Sequence, residues 1–198
     1  MKPYYSHAGI TIYHGDCREI LPQLGRFDLL LTDPPYPDYF VEEYQYRDGD
    51  LAVLESFNCR QYIFWSGRAA FPLDYSAVHI WNKNPSNHGA QYERIFERNG
   101  GSHQKVYTQY MVNSTVAASM TGDVFNEHPS QKPIRLMSRL LLEQHCESIV
   151  DPWMGSGTSL LAAKEFAKNA VGIEINERYC EIAAQRLSQE VFSFEAVA

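Results

Sequence analysis

The sequence predicts an α/β fold with a doubly wound, mostly parallel sheet. Three observations lead to this prediction. Short apolar runs alternate with segments of helical periodicity along most of the chain. The apolar runs are nearly continuous, which is typical of buried strands. The chain has 198 residues, of which 44% are apolar, enough for one domain with a substantial core.

The first half of the chain is predicted to be rich in strands. The clearest strand is "FDLLLTD" at 27–33, and the two prolines that follow it must lie beyond its end because proline cannot donate to a strand ladder. A short helical connection is expected at 17–24. Further strands are expected at 9–15, 61–66, 77–83 and 92–98, the last of them at an edge of the sheet.

The second half alternates helices and strands. Apolar residues recur at helical spacing over 132–146, with Ser130 as the predicted N-cap and Pro133 in the first turn. A strand at 148–153, a helix at 158–169, a strand at 170–175 and a helix at 176–189 are expected to follow. The intervening segment 99–127 has the composition of a loop, and its length predicts a functional or mobile segment.

Composition excludes several classes of protein. The net charge of −7 and pI near 5.5 lack the basic footprint of a typical nucleic-acid binder, so such binding would need a local patch. The four cysteines are scattered and the histidines lack the spacing of metal ligands, so no metal site is predicted. The scattered cysteines also favour a reducing cytoplasm. No apolar run approaches 18 residues and the N-terminus is polar, so neither a membrane span nor a secretory signal is expected.

A strand, a G-x-G turn, a helix and a second strand ending in an acid predict a nucleotide site. Gly155 and Gly157 allow a tight turn and close approach to a ligand. Free N–H groups of the next helix point to the same place. Glu174 lies 23 residues after Asp151, where an acid can accept both hydroxyls of a ribose. The alternative is a tight turn with a solvated Glu174.

The details of this turn favour S-adenosylmethionine. Leu160 replaces the third glycine of the dinucleotide fingerprint, and no P-loop pattern occurs. A cofactor with ribose and adenine but without phosphate therefore fits best. Trp153 is expected to provide an apolar wall for it, or else to pack in the core.

Four motifs together resemble a known family. They are "TDPPY" (32–36), "HPSQKP" (128–133), "DPWMGSG" (151–157) and "GIEIN" (172–176). In this order they resemble the permuted beta class of the amino-methyltransferases that modify exocyclic amines of DNA bases, as in restriction-modification systems. The resemblance extends from about residue 15 to 189. Trp153 departs from the family's usual Phe, and 37–127 is too short for a large target-recognition insert.

The resemblance implies a circularly permuted, Rossmann-like S-adenosylmethionine methyltransferase sheet of the seven-stranded type. It implies a single domain over 1–198, with a catalytic half at about 1–127 and a cofactor-binding half at about 128–198. DNA is the implied partner. A homodimer is an option that the sequence itself does not show.

The resemblance also implies roles for cofactor-binding residues. Ser130 and Lys132 would meet the methionine carboxylate at a helix start, although a simple cap and a solvated lysine are the alternatives. Asp151 would face the ammonium group and Glu174 the ribose. Asp16 and the backbone of Cys17, in "GDC", would contact the adenine edge. Contacts with the cofactor are also expected from Asp33, Trp153, Gly155, Ser156, Gly157 and Thr158.

The D-P-P-Y element fits the chemistry of amine methylation. The Asp33 carboxylate and the Pro34 carbonyl can each accept one N–H of the amine, which localises its lone pair and positions it. Pro34 and Pro35 fix φ near −65°, and Tyr36 can stack on a flipped base. The alternative is a β-turn in which these residues merely pack. Tyr39, Trp81 and Lys83 are further candidates for substrate contact, with core packing equally expected for Trp81.

D-P-P-Y rather than S-P-P-Y favours adenine N6 as the methylated atom. Cytosine N4, RNA and a protein amide remain alternative substrates. From other classes, a non-catalytic cofactor-binding module would be expected to show damage in D-P-P-Y or the glycine turn, and neither is damaged. A NAD-dependent oxidoreductase is disfavoured by the missing third glycine.

Overall fold

The computed structural model describes most of the chain. The described residues are 1–36, 47, 49–66, 69–83, 91–111, 131–166 and 168–189. The strands in them are β1 Tyr5–His7, β2 Ile10–His14, β3 Leu29–Thr32, β4 Arg60–Trp65, β5 Ala77–Asn82, β6 Tyr92–Arg98, β7 Val106–Thr108, β8 Ser148–Asp151 and β9 Asn169–Glu174. The α-helices are α1 Cys17–Ile20, α2 Asp50–Glu55, α3 Ile134–Leu142, α4 Thr158–Glu165 and α5 Glu177–Ser188, and a 3₁₀ turn, Leu21–Gln23, follows α1.

The nine described strands form one sheet in the order β1-β2-β9-β8-β3-β4-β6-β5-β7. The central run from β2 to β4 is parallel throughout, and β7 is parallel to β5. The strand β6 runs antiparallel to both of its neighbours, and β1 is antiparallel to β2. This confirms the predicted α/β fold with a mostly parallel sheet.

The core lies on both faces of the sheet. Leu29 and Leu31 of the central strand β3 pack in a cluster with apolar residues of α3, α4 and α5. Leu30 points to the opposite face, because side chains alternate along a strand, and packs with Leu54 of α2. Helix α1 adds Cys17 to a third cluster on that side. Helices therefore cover both faces, as a doubly wound fold requires.

Two details of the predicted elements are wrong. The strand at 92–98, expected at an edge, lies inside the sheet, because β6 pairs with both β4 and β5. Helix α3 begins at Ile134 with Pro133 as its N-cap, so Ser130 is not the cap. Ser130 and Tyr39 themselves lie outside the described residues.

Three elements were not predicted. The polar strand β1 and the short helix α2, which follows Gly49 at φ 98°, carry weak local patterns. The strand β7 lies within the segment 99–127 that was expected to be a loop. Residues 112–127 of that segment lie outside the described part of the chain.

Candidate active site

The predicted site residues meet at the carboxyl edge of the central strands. Asp33 directly follows β3, Asp151 ends β8 and Glu174 ends β9. Asp16 follows β2 through Gly15, whose N–H donates to the Glu174 carbonyl at 2.9 Å. Carboxyl ends of parallel strands are where open α/β sheets bind ligands. Four acids separated widely in the sequence are therefore collected at one edge.

Two adjacent cavities open at this edge. The predicted residues that line the first cavity are Asp33, Pro34, Pro35, Tyr36, Lys132, Asp151, Trp153, Gly155, Ser156 and Thr158. Those that line the second are Asp16, Cys17, Pro35, Trp153 and Glu174. Trp153 and Pro35 contribute to both, so they form the wall between the two cavities.

The glycine turn depends on residues without side chains. Gly155 and Gly157 have φ of 52° and 78°, in the left-handed region that favours glycine. A Cβ at Gly157 would lie 2.7 Å from the Cβ of Ala183, so the turn packs directly on α5. Arg186 of α5 donates through Nη1 to the Ser156 carbonyl at 2.6 Å. Sequence reasoning missed Arg186, because it lies 30 residues beyond the turn it contacts and in no motif.

Glu174 fastens the turn to the end of β9. Its Oε2 accepts the N–H of Gly155 at 3.0 Å, and its Oε1 accepts the N–H of Asn176 at 2.8 Å. Burial raises the pKa of Glu174 to about 7, partly offset by these hydrogen bonds. Each oxygen can accept a second bond, so the carboxylate can also hold a pair of hydroxyl groups.

Asp151 links the glycine turn to the D-P-P-Y strand. Its Oδ1 accepts from the Thr32 hydroxyl at 2.7 Å and from the Trp153 N–H at 3.2 Å, and its Oδ2 accepts from the Ser159 hydroxyl. Burial raises the pKa of Asp151 to about 6. The carboxylate is thus held from three sides while its residue lines the first cavity.

Asp16 begins α1 and is bound by arginines. Its Oδ1 accepts the Arg18 N–H at 2.9 Å, the Arg18 guanidinium binds both oxygens, and Arg47 Nη1 lies 3.7 Å from Oδ2. The hydrogen bond from Arg18 lowers the pKa of Asp16. Burial raises the pKa of the neighbouring Cys17 thiol to about 12, so it stays uncharged at neutral pH. Both arginines line the second cavity and were missed, although Arg18 stands directly beside the "GDC" motif.

The two oxygens of Asp33 differ in their contacts with the described residues. Its Oδ2 accepts from Lys132 Nζ, while its Oδ1 is buried and accepts no hydrogen bond from the residues that the structure describes. Burial raises the pKa of Asp33, and Lys132 opposes that rise. Lys132 Nζ also lies 3.8 Å from Glu93 Oε2, and Glu93 Oε1 pairs with Lys83. Sequence reasoning missed Glu93.

Tyr36 and Trp81 have different surroundings. Tyr36 is half-buried, lines the first cavity and packs against Trp65 with ring centroids 5.5 Å apart. Trp81 is 1% exposed and donates from its indole N–H to the Gln109 carbonyl at 2.7 Å. The described linings of the two cavities include neither Trp81 nor Lys83. Their placement favours core packing for Trp81 and ion pairing for Lys83 over contact with a substrate.

The described residues offer neither a metal centre nor a membrane span. They contain no group of three or more His, Cys, Asp or Glu side chains that could hold a metal ion. They also contain no helix long and apolar enough to cross a membrane.

Comparison with known families identifies the family of this chain. Residues 39–185 match the model of a DNA methylase family that covers N6 and N4 amino-methylation. The chain belongs to this family. The predicted resemblance to DNA amino-methyltransferases is therefore confirmed, and so is S-adenosylmethionine, the methyl donor of the family.

Curated relatives of this DNA methylase are type II methyltransferases. M.ScaI of Streptomyces caespitosus is 26% identical, over 97% of this chain and 86% of its own length. M.HpaI of Haemophilus parainfluenzae is 38% identical over 35% of this chain and 23% of its own. M2.LlaDCHI of Lactococcus lactis is 32% identical, over 54% of this chain and 39% of its own length.

Solved structures share the fold. The complex of M1.HpyAVI with S-adenosylmethionine has a TM-score of 0.60 and 23% identity, and covers 91% of this chain and all of its own. The cytosine-N4-specific PvuII DNA methyltransferase has a TM-score of 0.70 and 14% identity, over 97% of this chain and 91% of its own. A putative DNA modification methylase of Thermus thermophilus with S-adenosylmethionine has a TM-score of 0.57 and 22% identity, over 92% of this chain and 96% of its own.

Proposed function

We propose that this DNA methylase transfers a methyl group from S-adenosylmethionine to the exocyclic N6 amine of adenine in DNA. The observation that carries the proposal is the buried Oδ1 of Asp33, which accepts no hydrogen bond from the described residues and lies at the first cavity, beside the glycine turn. A buried acceptor without a partner is costly, and an incoming N–H donor would satisfy it. The choice of adenine over cytosine rests on the D-P-P-Y form of the motif.

The two cavities fit the two ends of the cofactor. The second cavity would take the adenosine, with Glu174 on the ribose and Asp16 and the Cys17 backbone at the adenine edge. The first would take the methionine, with Asp151 toward the ammonium group and Lys132 toward the carboxylate. Trp153, which lines both cavities, would be the apolar wall between them.

Substrate positioning is the main task of the D-P-P-Y residues. When bound, S-adenosylmethionine supplies an electrophilic methyl group. The free oxygen of Asp33 accepts one N–H of the target amine and the Pro34 carbonyl accepts the other, which localises the nitrogen lone pair and aims it. Tyr36 offers a ring for stacking, worth roughly 1–3 kcal/mol per base. The base must be flipped out of the duplex or single-stranded to reach this pocket.

The decisive experiment identifies the methylated atom. The protein is incubated with labelled S-adenosylmethionine and DNA or RNA, and the products are digested to nucleosides. Label in N6-methyladenine from DNA is expected, and Asp33→Asn should abolish it. Asp74→Asn, which changes an exposed acid away from the site, is the matched control. Label in N4-methylcytosine, or in RNA alone, would contradict the proposed substrate.

The acidic composition of the chain limits how it can bind DNA. A protein bound to DNA buries considerable surface and gains from phosphate contacts, whereas this chain carries a net charge of −7. We infer that either the sequence specificity is short or relaxed, or a second copy contributes surface. Light scattering with and without a DNA duplex separates the two possibilities. A monomer bound to DNA would support limited sequence specificity, and a dimer would support a binding surface shared between two copies.

A further inference from the structure

Two buried lysines and two partly buried acids form a row of charges that ends at Asp33. Lys83 follows β5, Glu93 lies on β6, Lys132 precedes α3 and Asp33 follows β3. The contacts run from Lys83 to Glu93 Oε1, from Glu93 Oε2 to Lys132 at 3.8 Å, and from Lys132 to Asp33 Oδ2. The side chains of Lys83 and Lys132 are only 8% and 7% exposed. Two cations and two anions alternate, so the row can be buried without net charge.

The row is asymmetric at its Asp33 end. Glu93 has a cation on each side, whereas Asp33 has Lys132 at one oxygen and no described hydrogen-bond partner at the other. A lysine that binds one oxygen fixes the orientation of the whole carboxylate, because both oxygens are bonded to the same planar carbon. The position of the free oxygen therefore depends on where Lys132 is held.

We propose that Glu93, itself supported by Lys83, is a positioning residue that holds Lys132 against Asp33 and so keeps the free Asp33 oxygen in place for the target amine. This inference rests on the proposed function. Glu93 belongs to the antiparallel strand β6, which lies apart from the D-P-P-Y and glycine motifs in the sequence. It contacts neither the amine nor the cofactor, and it acts through Lys132.

The charges around Asp33 support this role. Burial raises the pKa of Asp33, Lys132 lowers it, Glu93 raises it and Lys83 lowers it, and Asp151 is a further acid at the same cavity. Burial alone would raise the pKa of Glu93, but Lys132 and Lys83 together lower it. Glu93 is therefore ionised at neutral pH and able to hold a cation.

The direction of the pKa shift of Asp33 distinguishes a positioning role of Glu93 from simple charge repulsion between Glu93 and Asp33. Replacing Glu93 by Gln removes a negative charge, which by itself would lower the pKa of Asp33. If Glu93 positions Lys132, the same replacement also loosens Lys132, whose influence on Asp33 is larger than that of Glu93. The pKa of Asp33 then rises. The direction of the shift in Glu93→Gln thus decides between the two roles.

The test compares Glu93→Gln and Glu93→Asp with wild type. We expect the acidic limb of the kcat/KM profile to move to higher pH in Glu93→Gln, with a loss of roughly tenfold or more in kcat/KM at neutral pH from misplacement of the acceptor. Glu93→Asp keeps the charge but shortens the side chain, so a smaller shift in the same direction is expected. An unmoved limb, or one that moves to lower pH in Glu93→Gln, overturns the proposal.

A matched control lies on the same strand. Glu97 is buried and paired, with Arg60 and with His79 at 2.9 Å each, near the other end of β6. Glu97→Gln should lower the melting temperature and leave the acidic limb where it is. A limb that moves equally in Glu97→Gln would mark the effect as general destabilisation and overturn the role of Glu93.

A readout independent of activity separates this inference from the proposed function. Carbon-13 NMR of aspartate-labelled protein follows the titration of the Asp33 carboxyl, with Asp33→Asn for assignment. If wild type methylates no polymer, the proposed function fails, yet the NMR titration still shows whether Glu93→Gln raises the pKa of Asp33. A titration unchanged by Glu93→Gln in active protein refutes the positioning role alone.

Discussion

The contact between the glycine turn and helix α5 can be tested by adding one methyl group at Gly157. In Gly157→Ala the new Cβ would lie 2.7 Å from the Ala183 Cβ, whereas carbon atoms in contact prefer about 3.5–4.0 Å. The residue also has φ of 78°, where an L-residue costs about 1–2 kcal/mol. Overpacking adds about 1–3 kcal/mol. The free energy of unfolding should therefore fall by about 2–5 kcal/mol.

Urea denaturation measures this loss, and a double-mutant cycle assigns it. Ala183→Gly removes the opposing methyl group, so Gly157→Ala/Ala183→Gly should regain the overpacking part, a coupling of about 1–3 kcal/mol, but not the backbone part. Gly25→Ala is the matched control, since a Cβ there meets nothing within 4 Å. Calorimetry should show weaker S-adenosylmethionine binding by Gly157→Ala. Additive effects of the two substitutions, or wild-type stability of Gly157→Ala, would refute this account of the turn.

Two further predictions concern the cofactor cavities. Because the pKa of Glu174 is raised to about 7 in the folded protein, the native state binds the extra proton, so this group lowers stability as pH rises from about 4.5 to 7. Urea denaturation at pH 5 and 8 should therefore show a smaller loss with rising pH in Glu174→Gln than in wild type, and equal losses would contradict the raised pKa. Trp153→Phe should keep S-adenosylmethionine affinity within a few-fold while Trp153→Ala loses tenfold or more, as an apolar wall requires. Calorimetry measures both affinities. Wild-type affinity for S-adenosylmethionine in Trp153→Ala would show that Trp153 only packs in the core.

Local patterns predicted much of the sheet and the place of the acids. The strand at 29–32, the glycine turn and the strand ending at Glu174 each carry a continuous pattern, and parallel strands bring their carboxyl ends together. The roles of the individual acids in binding remain predictions. Their collection at one edge followed from topology, which a sequence of alternating elements indicates.

The position of β6 could not be predicted in the same way. Its sequence "YERIFER" is charged, and charge suggests an exposed edge. In the structure Glu93 pairs with Lys83 and Glu97 with Arg60, so both acids are compensated by ion pairs. Arg60 lies on β4 and Lys83 directly follows β5, and nothing in the spacing along the chain indicates the pairing. The same reason explains why the contact of Lys132 with Asp33, 99 residues apart, was not foreseen.

The hydrogen bond from Thr32 to Asp151 spans 119 residues of sequence and only 2.7 Å of space. It joins the strand that leads into the D-P-P-Y motif to the strand that leads into the glycine turn, and the two strands are aligned by pairs such as Leu30 with Val150. A slip of one residue between them would turn Asp151 to the other face of the sheet. Under the proposed function, the register of these two strands would therefore set the distance between the methyl donor and the target amine. Apolar residues such as Leu30 and Val150 keep that register, so under the proposed function they would support catalysis from within the core.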